Sequence, residues 1–237
     1  MNKIFAMIPA RIGSVRLKKK NLALINKKPL IEYAIDAALQ SKIFNKIFIN
    51  SDDSVFKKIS KKKNIEFYKR NKKLGSSSTK SDDVVYDFIK NNPCDIIFWV
   101  NSISPLQTGS EIKKIFEYFT KNKFDTIHTV KKDMCHVIFN KHPLNYDEAK
   151  KFSKTQDLKP IFRFVYSLMG WNVKEFIKNY ETNGIGFFSG KVGYYEVDLA
   201  SSINIKNKND LILCDKIFKG SKKVNTLEYS ELAYDRK

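Results

Sequence analysis

The chain has 237 residues, 42% of them apolar and 18 of them phenylalanine, enough for one substantial α/β core and too apolar for a disordered chain. No apolar run approaches the roughly 20 residues of a membrane span, and Met1 to Ala10 does not read as a secretion signal, so a cytoplasmic protein with no membrane partner is expected. The formal net charge of +19 admits nucleic acid as a partner, but the lysine-rich runs at 57–63, 69–73 and 219–223 carry no helix-turn-helix or RNA-binding signature, which favours a small anionic ligand over a specific nucleic acid.

In chain order, Ile4 to Ile8 is a continuous apolar run, as a strand buried on both faces requires. A helix is expected over Leu30 to Leu39, a strand over Lys46 to Asn50, a helix over Val55 to Lys62 and a strand over Ile65 to Tyr68. Ser81 to Lys90 reads as a helix with Val84, Val85, Phe88 and Ile89 as its apolar stripe. A strand at Ile96 to Val100, a helix at Glu111 to Asn122 and a strand at Asp125 to Val130 continue the alternation. Such βαβα order argues a parallel sheet with helices on both faces, and ligands in these sheets sit at the carboxyl ends of the strands.

After about Lys131 the rhythm changes. "VIFN", "IFRFVYSLMGW", "GIGFF" and "GYYEVD" read as strands, Val173 to Asn179 as a helix, and "NDLILCDKIF" as a helix capped by Asn209 or Asn207. One domain is expected over 1–218, with an aromatic insertion over about 131–195 as a candidate dimer contact and a tail over 219–237. Core packing explains those aromatics equally well. Cys94, Cys135 and Cys214 are odd in number and far apart, which fits buried thiols and neither a disulfide framework nor a metal cluster.

The stretch after the first strand, "IPARIGSVRLKKKNL" (Ile8 to Leu22), concentrates donors for an anion. Gly13 permits a tight turn or close backbone approach, and Ser14 adds a hydroxyl. Arg11 and Arg16 offer planar forks for phosphate oxygens, and Lys20 a compact charge. The spacing is neither GxxxxGK[ST] nor GxGxxG.

This stretch resembles the N-terminal signature of the cytidylyltransferases that activate acidic sugars, the acylneuraminate and Kdo enzymes, roughly I-P-A-R-x-G-S-x-R-L-x-x-K-N. The Lys20-Asn21 pair is nearer the acylneuraminate branch. "INSDD", "KRNKKLGSSSTKSDDVVYDFI", "VNSISPLQTGSEI" and "SSINIKNKNDL" resemble later family segments, so the likeness runs over about 4–218. It implies a Rossmann-like three-layer fold of the nucleotide-diphospho-sugar transferase type, mostly parallel with a small insertion. It implies, too, CTP and Mg²⁺, an acidic sugar of the nonulosonic type as acceptor, pyrophosphate as product, and a homodimer. Arg11, Gly13, Ser14, Arg16, Lys20, Asn21, Arg70, Ser81 and Asn101 are thereby expected at the nucleotide, and Gln107, Gln156 and Tyr166 at the sugar. Arg11, Lys20 and Lys206 are the expected catalytic set.

The sequence departs from the pattern at several of these places. Asn101 stands for a Gln, Gln107 for an Arg, and the Asn-Gly-Ala that frames the sugar is missing around Tyr166. Asn204 and Lys206 replace two metal-binding Asp residues; Asn204 retains a carbonyl for a cation, whereas a charged Lys206 cannot ligate one. Alternation with Ile203 and Ile205 along a short strand would turn both toward the cleft, with Asp198 and Asp52 as further candidate ligands. Three functions stay open: an active nucleotidyltransferase, a nucleotide-binding homologue with little turnover and, on net charge alone, a nucleic-acid binder.

Overall fold

Alternate side chains of Ile4–Pro9 (β1) enter two separate cores, Ala6 and Ile8 on one face and Phe5 and Met7 on the other. That is why the run is apolar without alternation. The computed structural model describes residues 2–220. After β1 come β2 (Leu24–Ile25), β3 (Lys28–Pro29), α1 (Leu30–Ser41), β4 (Lys46–Ser51), α2 (Phe56–Lys63), β5 (Glu66–Lys69), α3 (Ser81–Asn91), β6 (Ile96–Val100) and α4 (Gly109–Lys121). The second half holds β7 (Thr126–Asp133), the short strands β8 (Ile138–Phe139) and β9 (His142–Pro143), β10 (Ile161–Asn172), α5 (Val173–Asn183), β11 (Val192–Glu196) and α6 (Lys208–Gly220).

Seven strands form the central sheet in the order β11-β7-β10-β6-β1-β4-β5. All neighbouring pairs are parallel except the two that β10 makes with β6 and β7. Ala34, Ile35 and Ala38 of α1, Phe56 of α2 and Ile112, Ile115 and Phe119 of α4 cover one face. Val85, Phe88 and Ile89 of α3 and Phe176 of α5 cover the other. Each such side chain, once fully buried, contributes about 1.5–3 kcal/mol from removed apolar surface. Gly170 lets β10 lie against the Phe98 ring, because a Cβ there would come within 2.4 Å of it.

The expected helices and first-half strands are found within a few residues, and Asn207 caps α6 through Oδ1 bonds from the N–H groups of Asn209 and Asp210. "GIGFF" is not a strand. Gly184 caps α5 at φ 72°, and the Asp82 carboxylate accepts the N–H groups of Gly186 and Phe187, so this segment is a loop held by α3. Of the segment 131–195 read as an insertion, β10 and β11 are strands of the central sheet, and what projects from it is 134–160, with the hairpin of β8 and β9. Lys219 and Gly220 complete α6; the remainder of the expected tail lies outside the described residues. Among the described residues no helix is long and apolar enough to cross a membrane.

Candidate functional site

The loop after β1 is built by the backbone first. Ala10 N–H donates to Asn50 O at 2.9 Å, anchoring the strand end to β4. Lys19 then takes φ 51°, and Lys20–Leu22 make a single 3₁₀ turn. Asn21 is buried and ties two loops together: its Nδ2 donates to Arg11 O at 3.2 Å, and its Oδ1 accepts from Ser102 Oγ at 2.6 Å. Lys20 Nζ donates to Ile205 O at 3.4 Å, so the segment before α6 holds the lysine from the far side.

Arg70 follows β5 and is 4% exposed. Its guanidinium lies 3.7 Å from Asp52 Oδ1, an ion pair too long for a hydrogen bond, and its buried Nε has no protein partner. Gly75 packs directly on Asp52, where a Cβ would meet the carboxylate at 2.5 Å. This fixes the Ser/Thr-rich loop 76–80 beside Arg11, whose NH1 donates to Ser76 O at 3.2 Å.

These elements enclose a cavity of about 340 Å³ at the carboxyl ends of β1, β5 and β6, the edge at which parallel sheets bind ligands. Arg11, Ser14, Arg16, Lys20, Asn21, Arg70, Ser81 and Asn101 line it, so eight of the expected nucleotide residues converge. Ser76, Ser77, Thr79 and Trp99 line it too, four residues beyond the set that the sequence points to. The serine-rich run between Arg70 and Ser81 was the available signal. The indole Nε1 of Trp99 is buried without a protein acceptor, leaving a donor at the cavity wall. Burial first, then the charges of Arg16 and Arg11, push the Lys20 ammonium down to about 8, with Asp210 acting the other way.

Other expected residues lie elsewhere. Gly13 does not line the cavity, its φ is not positive, and a Cβ on it would meet nothing within 4 Å. Gln107 is buried and donates through Nε2 to Ser167 Oγ at 3.0 Å, away from the cavity lining. Burial raises the Glu111 carboxyl in the same region. Gln156 is exposed in a 3₁₀ turn of the projecting arm. Tyr166 sits at the register break of β10 with φ 62°, 46% exposed and stacked on Phe164. Ser167, next to it, accepts Asn101 N–H at 3.0 Å, which links the break to the cavity floor.

The acid-replacing pair departs furthest from expectation. Residues 203–206 form no strand, so simple alternation does not govern them. Asn204 Nδ2 donates to Ser104 Oγ at 2.7 Å, and Lys206 is exposed and outside the lining. The Asp210 carboxylate accepts the backbone N–H of Lys206 and of Asn207. No carboxylate lines the cavity, and among the described residues no three His, Cys, Asp or Glu side chains are grouped to hold a metal. A donor set of arginine, lysine and hydroxyls suits phosphate oxygens and does not fit a protein-held Mg²⁺.

A sequence profile described as cytidylyltransferase matches residues 5–196. The chain belongs to the cytidylyltransferase family. Relatives include the N-acylneuraminate cytidylyltransferases of Streptococcus agalactiae serotype V, 28% identical over 89% of this chain and 52% of that protein, and of Escherichia coli O18:K1:H7, 25% identical over 89% and 51%. This cytidylyltransferase chain thus spans about half the length of the curated relatives it matches. Post-translational flagellin modification protein B of Campylobacter coli is 33% identical over 54% of the chain and 58% of that protein. A solved CMP:2-keto-3-deoxy-manno-octonic acid synthetase complexed with CTP superposes with a TM-score of 0.71 at 13% identity, covering 93% of this chain and all of that one, which establishes the shared Rossmann-like fold.

Proposed function

We propose that this chain transfers CMP from CTP to an acidic sugar of the nonulosonic type and releases pyrophosphate. The observation that carries the reading is the convergence of Arg11, Arg16, Lys20 and Arg70 on one cavity at the strand ends. The names of the N-acylneuraminate relatives support the acceptor class. A sugar hydroxyl oxygen forms the new bond to the α-phosphorus, the bond from that phosphorus to the α,β-bridging oxygen breaks, and the hydroxyl proton leaves to solvent. The cations hold the triphosphate in line and spread the charge that develops on the departing pyrophosphate, since positioning and neutralisation account for most of such catalysis.

The sugar would sit toward Tyr166 and the ring cluster beside it, and the projecting arm with Phe152, Ile138 and Phe139 exposed offers a homodimer contact. The work would be done in the cytoplasm, where CTP is made. A second reading, nucleotide binding with little turnover, is favoured by the carboxylate-free lining. Pyrophosphate release measured with each of four nucleoside triphosphates against a panel of acidic sugars separates them. Release with CTP and one sugar is expected. CTP binding with no release from any sugar would favour the second reading, and preference for a purine nucleotide would remove the cytidylyl assignment.

A further inference from the structure

Neutralising a triphosphate requires positive charge close to its oxygens, and here the protein brings that charge in side chains alone. Arg11, Arg16 and Lys20 line the cavity, and none of them has a carboxylate within ion-pairing distance among the described residues. Burial first, and then the charges of Arg16 and Arg11, lower the Lys20 ammonium, a cost that an anion in the cavity would relieve. Arg70 adds a fourth charge, with a buried Nε that no protein acceptor satisfies.

Nearby acids are engaged by the protein. Asp52 faces Arg70, Asp198 Oδ1 accepts Ser201 N–H at 2.7 Å, and Asp210 holds the turn into α6. Asn204, placed where the family resemblance calls for a metal ligand, donates to Ser104 instead. A divalent ion entering this cavity would meet repulsive cations and no carboxylate.

Resting on the cytidylyltransferase reading above, we infer that this pocket takes its nucleoside triphosphate as the metal-free anion, Arg11, Arg16 and Lys20 supplying the neutralisation. Mg²⁺ is then dispensable for binding. The neutralising charge and a metal ion become interchangeable only when one of the side chains is removed.

Calorimetric titration of CTP and of inorganic tripolyphosphate, in EDTA and in saturating Mg²⁺, tests this without reference to turnover. The dissociation constant of CTP is expected to agree within about threefold between the two buffers. In Lys20→Met, checked for folding by its circular-dichroism melt, affinity in EDTA should fall at least about tenfold, and Mg²⁺ should recover part of the loss. Tight CTP binding that vanishes in EDTA would overturn the inference and leave the cytidylyltransferase reading intact. Equal strengthening of wild type and Lys20→Met by Mg²⁺ would overturn it as well. Tripolyphosphate binding without CTP binding would defeat the cytidine reading and with it the inference about a nucleoside triphosphate, and no binding of either probe in any buffer would defeat both.

Discussion

The two halves of the central sheet end in different chemistry. On the β1, β4, β5 and β6 side the strands are parallel, their carboxyl ends share one edge, and three arginines and a lysine meet there. On the β7, β10 and β11 side, antiparallel β10 interrupts the pattern, and rings cluster instead: Phe164 contacts Tyr166, Phe188, Tyr194 and the buried His128. Strand direction explains the difference. Parallel strands bring their carboxyl-end loops to the same edge, where donors from distant segments converge, whereas the reversed β10 brings its amino end to that edge. The cation cluster belongs to the parallel half, and the ring cluster to the half that β10 interrupts.

That contrast is sharpest at Trp171, fully buried between the halves and touching Phe176 and Phe187. Trp171→Ala should lower stability by about 4 kcal/mol in urea melts; a loss under about 1 kcal/mol would mean the second half is not cooperative with the first. Next comes Lys20→Ala, expected to weaken CTP binding about a hundredfold, as loss of a preorganised charge does. Exposed Lys61 in α2 serves as its control, and Lys61→Ala should leave CTP binding unchanged. Similar losses from both would dissolve the distinction between a site and a generally basic surface.

Acidity offers a finer test. An anion favours the charged form of Lys20, which prevails below its unliganded pKa of about 8, so affinity should fall as pH rises through 8, by at most about tenfold per unit. Folding responds with the opposite sign. Between about 8 and the ordinary 10.5 the unfolded chain holds this proton more tightly than the folded one, so stability from this group rises with pH across that window. Titration calorimetry and urea midpoints over the same pH series check both slopes. Smallest is Gly13→Ala, expected to raise stability by about 0.5 kcal/mol, since its φ is ordinary and its Cβ meets open space. A tenfold loss of CTP affinity in that variant would show the bound phosphate approaching this backbone.

Local pattern made the parallel half legible. Ile96–Val100 is a strand to the residue because both its faces are buried, and the apolar stripe of α3 is the one its spacing announces. The ordered charges of the opening loop predicted a common site because they follow directly from a buried strand end. Partner choice is not written in local pattern, and β10 therefore looked like part of an outlying insertion although it pairs with both β6 and β7. "GIGFF" has a strand's composition, yet its backbone donors are met by Asp82, more than a hundred residues earlier in the chain. Alternation, which would turn Lys206 toward the cleft, holds only for a strand, and residues 203–206 instead lead into the Asn207 cap of α6.

The bond from Lys20 to Ile205 O has a consequence for the order of events during synthesis. Every residue lining the cavity lies between Pro9 and Ile103, while Ile205 and the Asp215 carboxylate that holds Asn26 N–H come from the last part of the described chain. A ribosome adding roughly 5–20 residues per second makes the last residue of the cavity lining roughly 5–20 s before the backbone that steadies Lys20. On the growing chain the cavity therefore precedes the contact that steadies Lys20, and the cluster is completed as a late event of synthesis. A fragment ending at residue 196, where the family profile stops, would carry all of the cavity's side chains and lack the clasp that orders one of them.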